Sequence, residues 1–121
     1  MIIAYWILAG LLALFFLYSG GVKVVRPVEK LRPMMGWVDA VPLPLVRVIG
    51  VLEVMAAIGL ILPPLTGIAR ALAVAAAVGL AVLQLAAIGV HLRRNEARLI
   101  GLNLVLVALS AVTIWLATVW L

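Results

Sequence analysis

The chain contains no cysteine. That absence excludes disulfides, thiolate metal sites and thiol redox chemistry. Histidine is almost missing too: His91 stands alone, so a two-histidine haem site within one chain is excluded. There is no Gly-rich phosphate loop, no nucleophile elbow and no cluster of metal ligands, so neither a soluble-substrate enzyme nor a resident metal is expected. Acidic groups are scarce, with four Asp and Glu among 121 residues. What the chain has in excess is apolar surface. Hydrophobic residues make up 69% of it, against roughly half in an ordinary soluble domain, and the mean hydropathy is +1.39. A water-facing shell cannot accommodate that excess, so the main solvent of this chain is lipid.

Four apolar runs carry the excess. A helix rises about 1.5 Å per residue, so each run is long enough, or nearly so, to cross a hydrocarbon core of about 30 Å. The reading is one all-α domain over 1–121, an integral membrane bundle of four transmembrane helices at about 2–25, 45–62, 68–91 and 99–121. Punctuation falls between the runs. Pro27, Pro33, Pro42 and Pro44 break helix in the first connection. Pro63, Pro64 and Gly67 predict a tight second turn, and His91 to Arg98 form a short, charged third connection.

The net charge of +5 matters through its placement. Lys23, Arg26, Lys30, Arg32 and Arg47 surround the first connection, and Arg93, Arg94 and Arg98 lie in the third; only Arg70 is elsewhere. Flanking apolar runs, such clusters report topology rather than nucleic acid binding. Connections one and three share a face, and the positive-inside rule puts that face in the cytoplasm and both termini outside. Tyr5, Trp6, Trp115 and Trp120 gather near the termini, where they can form an interfacial aromatic belt. The first run has basic residues after it and none before it, the reverse of a cleaved leader, so it reads as a retained span.

Two segments carry further expectations. Met34, Met35, Trp37, Val38 and Val41 are apolar residues within the charged first connection, which predicts that the stretch lies in the interface or dips into the bundle mouth. On the third span, Ala71, Ala75 and Gly79, and again Ala73, Ala77 and Ala81, recur every four residues. Such stripes let helix backbones approach closely, chiefly inside the bundle, with a homo-oligomer as the alternative.

Chemistry points to Glu53. A carboxylate within a membrane span is costly and by default faces a bundle interior or a cavity. Glu53 follows Pro44 by nine residues, about 13 Å along a helix, which places it toward the bilayer centre. Arg47, His91, Gln84 and Asn103 fall in the same half of the chain's bundle, and with Glu53 they are the candidate ligand-binding residues of a polar pocket on the cytoplasmic side. Arg47 and Glu53 point about 120° apart on one helix, so each needs a partner on another helix. Lys23, at the end of the first span, is expected to snorkel to lipid headgroups.

The ordered set Tyr18-Ser19-Gly20-Gly21-Val22-Lys23, Arg47-Val48-Ile49-Gly50-Val51-Leu52-Glu53, Gly59-Leu60-Ile61-Leu62-Pro63, His91 to Glu96, and Asn103 resembles the DoxX-like family of small bacterial four-helix membrane proteins. The resemblance implies the fold and places Arg47, Glu53, His91 and Asn103 at the family's polar positions. It also implies an association with membrane redox complexes and, more distantly, with assembly chaperones and cargo receptors. The expected function is therefore an accessory subunit that binds a quinone or another lipid and has no catalytic activity of its own. An assembly factor for another membrane protein is the first alternative, and a small proton-coupled transporter the second. Expected partners are membrane lipids, a quinone, and another membrane protein or a second copy of the chain, with no nucleic acid.

Overall fold

The structure is a computed structural model that describes residues 1–36 and 41–121. It holds four long helices and one short one: α1 (Ile2–Val25), α2 (Val28–Leu31), α3 (Leu43–Thr66), α4 (Leu72–Arg93) and α5 (Gly101–Ala117). Single 3₁₀ turns, Ala97–Leu99 and Thr118–Trp120, precede and follow α5. The four long segments are each long and apolar enough to cross a membrane. They form a ring in which α1 packs on α3 and α5, and α4 packs on α3 and α5. Both termini reach one end, where Tyr5, Trp6 and Trp120 meet edge to face with ring centroids 5.4–5.8 Å apart. Trp115, expected in the same belt, points outward. The other end carries the two basic connections. Trp37, Val38 and Asp39 of the first connection lie outside the described residues.

The second span is longer than its prolines predict. It runs through Pro63 and Pro64 to Thr66 and ends on Gly67, whose φ of 76° is the left-handed conformation that glycine adopts freely. Proline lacks an N–H, so Pro64 leaves the Leu60 carbonyl without its helical donor. The Tyr5 hydroxyl donates to that carbonyl at 2.5 Å. A neighbouring helix thus satisfies the freed group, which is how spans in lipid tolerate internal proline. The chain then turns over Ile68 to Ala71, with Ala69 at φ 52°, and α4 starts four residues later than the apolar run suggests.

Packing differs along the bundle. At the terminal end Tyr5, Leu12, Phe16, Leu60, Leu80 and Ala117 form one continuous core with the alanines of α4. Of the two α4 stripes, Ala73 and Ala77 face this core, whereas Ala71 and Ala75 face out. At the basic end α1 and α3 are clamped together through glycine. A β-carbon on Gly20 would lie 2.6 Å from the Gly50 carbonyl oxygen, and one on Gly50 would lie 2.7 Å from the Gly20 carbonyl oxygen and from Lys23 Cβ. Two of these three close neighbours are main-chain atoms, which cannot move aside as a flexible side-chain tip would. Gly50→Ala is expected to cost about 1–3 kcal/mol, the range for overpacking a tight contact. A lowered thermal transition in detergent checks this; an unchanged one would mean that the two helices slide apart at little cost.

Candidate functional site

The α1–α3 clamp positions a buried ion pair. Ser19 and Lys23 are four apart on α1, so they share a face one turn from each other. The Lys23 ammonium lies 2.8 Å from Glu53 Oε1 and 3.1 Å from Oε2, and donates to Ser19 Oγ at 2.6 Å. Lys23 is 5% exposed and Glu53 3%. The expectation that Lys23 snorkels to headgroups is therefore corrected: Gly20 and Gly50 bring the helices so close that the ammonium reaches a carboxylate before it reaches the surface. Inside the bundle the Coulomb attraction is strong, and it offsets a desolvation cost that neither charge alone could bear.

Arg47 takes a different part. Its Nη1 donates to the carbonyls of Lys23 and Arg26, both at 2.6 Å. The Lys23 carbonyl would ordinarily accept from the N–H of residue 27, but that residue is Pro27. Arg47 thus closes the end of α1 from the neighbouring helix, as a cation should near a helix C-terminus. It does not line the cavity described below.

On the opposite pair of helices, Asn103 Nδ2 of α5 donates to Gln84 Oε1 of α4 at 2.8 Å. Beyond α4 the chain reverses through Asn95, a residue tolerant of the left-handed region it occupies at φ 58°. The turn returns the Glu96 N–H to the His91 carbonyl at 2.8 Å, and sets Glu96 Oε1 3.1 Å from His91 Nδ1 and 3.4 Å from Arg94 Nε. The charged third connection is thereby folded back on the end of α4.

Between the two helix pairs lies a cavity of about 670 Å³, within the roughly 300–1,000 Å³ span of small-molecule sites. Ser19, Lys23 and Glu53 stand on one wall; Gln84, His91, Glu96 and Asn103 stand on the other. Phe15, Ile49 and leucine, valine and alanine side chains fill the remaining wall, and Met34, Met35, Gly36 and Val41 line the basic end. The first connection therefore reaches the bundle mouth through its described residues. Four of the five sequence candidates, Glu53, Gln84, His91 and Asn103, meet at this cavity, and Arg47 does not. Besides Glu96, sequence reasoning left out Ser19 and Lys23 as cavity residues. The signal of these two was present as a serine and a lysine four apart beside a Gly-Gly pair, on a span otherwise almost wholly apolar.

The family model for the DoxX-like family matches residues 7–113. No curated protein and no solved structure matches the chain.

Proposed function

The chain belongs to the DoxX-like family, and on that premise we propose that this multi-pass membrane protein is an accessory subunit of a membrane redox complex, one that holds a quinone or a lipid of similar shape in its cavity. The cavity carries the reading: an apolar enclosure of about 670 Å³ with hydrogen-bonding groups on two facing walls. A quinone presents a flat apolar ring with a carbonyl at each end. The Ser19 hydroxyl, held by Lys23, supplies a donor on one side, and the amides of Gln84 and Asn103 with His91 supply donors on the other. The deep wall favours an uncharged head, because Lys23 and Glu53 compensate each other and the amide pair is neutral. An anionic head would have to sit beside Glu53.

The chain's own part is to bind, orient and enclose. Without cysteine it has no thiol to carry electrons, so the redox step falls to a partner subunit. The Lys23 partner weighs against Glu53 as the lone proton carrier of a transporter. The excess of Lys and Arg at the cavity end supports a cytoplasmic position for it in a bacterial plasma membrane.

Gentle purification followed by mass spectrometry of the extracted lipids tests the reading. A quinone in stoichiometric amount is expected, and Gln84→Leu with Asn103→Leu should deplete it by about tenfold or more, the equivalent of one or two hydrogen bonds. A preparation that carries none and fails to bind added quinone overturns it.

A further inference from the structure

The faces that α3 and α4 turn toward each other behave differently at the two ends of the bundle. Near the termini they touch: a β-carbon on Gly59 would lie 3.1 Å from that of Ala76. Continued one turn at a time toward the basic end, the same α3 face carries Leu52, Val48 and Leu45, and the same α4 face carries Leu83, Ala86 and Val90. All six line the cavity. There the two helices are held apart by their other partners. Gly20 and Gly50 clamp α3 to α1, and the Gln84–Asn103 hydrogen bond ties α4 to α5. The bundle is thus two tight helix pairs that meet at the terminal end and diverge at the basic end.

The divergence leaves the cavity open sideways. Leu45, Val48 and Leu52 are 48%, 51% and 45% exposed while also lining the cavity, and Ala86 across from them is exposed as well. On the α1 side the polar lining residues Ser19 and Lys23 are buried. Both helices here belong to spans long enough to cross a membrane, so the opening faces acyl chains rather than water.

We propose that the cleft between the basic halves of α3 and α4 is a lateral portal. The ligand is a lipid whose polar head sits between the Lys23–Glu53 and Gln84–Asn103 pairs and whose apolar tail leaves through the cleft into the bilayer. This rests on the ligand-binding reading above and adds the tail, its path and the route of access. Val48 of α3 and Ala86 of α4 both line the cavity on this side, so a large side chain at either position is expected to narrow the cleft.

The test uses the protein in lipid nanodiscs with two ligands, a decyl-tailed benzoquinone and the tailless tetramethylbenzoquinone. The native protein should bind both. Ala86→Trp and Val48→Trp should each weaken the tailed ligand by at least about tenfold more than they weaken the tailless one. Equal binding of the tailed ligand by native and variant proteins overturns the portal and leaves the pocket standing. Loss of both ligands in both variants overturns it too, because the cleft would then belong to the head site. If the native protein binds neither ligand, the quinone reading falls by itself. The portal is then judged on bimane attached at Ile49→Cys, a unique label in a cysteine-free chain. Quenching by phospholipids brominated on their acyl chains supports access from the bilayer; no quenching overturns it.

Discussion

Lys23→Met should destabilise the protein by about 3–5 kcal/mol, and Lys23→Met combined with Glu53→Met should restore most of that loss. The single replacement removes the ammonium that lies within 3.1 Å of both Glu53 oxygens and leaves a 3%-exposed carboxylate without its counter-charge. An uncompensated buried charge is among the costliest defects a fold can carry, whereas a well-packed apolar replacement of both partners is often neutral or stabilising. Methionine suits the test because it is unbranched and follows the lysine stem without overfilling the Gly50 contact. The coupling energy of the double-mutant cycle, read from unfolding in detergent, should exceed about 2 kcal/mol. Additive single losses would mean that the two charges stabilise the fold independently and that the short distances carry little energy. The same cycle separates stability from function. The double variant should fold yet bind quinone poorly, because it replaces both charged side chains that this wall of the cavity carries among the described residues.

The contrast between Glu53 and Lys23 shows what the sequence makes legible. A carboxylate in the middle of an apolar run has no route to water, so Glu53 reads as inward-facing from its position alone. Lys23 lies two residues from the end of α1, where a long flexible stem normally reaches headgroups. What decides its direction is the separation of α1 and α3, and that depends on Gly20 and Gly50 coming into register. Neither segment contains this information by itself. The four spans were legible because apolar length is a local property. The continuation of α3 through Pro63 and Pro64 was not, because it depends on a hydroxyl from Tyr5, 55 residues away in sequence. The polar grouping at the basic end was legible as a half of the bundle. Its division into two facing walls, and the cleft between α3 and α4, follow from which helices pack closely, and the small residues that decide it occur on every span.

Arg47 gives the second large effect and tests that boundary most directly. Read along the chain it belongs with Glu53, His91, Gln84 and Asn103 as a ligand-binding residue. In the fold its guanidinium lies at the end of α1, with Nη1 donating to the carbonyls of Lys23 and Arg26. One nitrogen carrying two N–H groups matches two acceptors that helix geometry has left open, one of them because position 27 is proline. Arg47→Met is expected to cost about 2–3 kcal/mol, since it leaves two partly buried carbonyls without their charged donor. The C-terminal turn of α1, which also carries Lys23, should exchange its amide hydrogens faster. Arg47→Lys should recover part of the loss, because an ammonium still complements the helix end but lacks the rigid fork. Quinone affinity should change by less than about threefold once the protein is assayed below its transition. If Arg47→Met left the thermal transition in place and abolished binding, the guanidinium would be a ligand contact, and the cap seen at the end of α1 would be incidental.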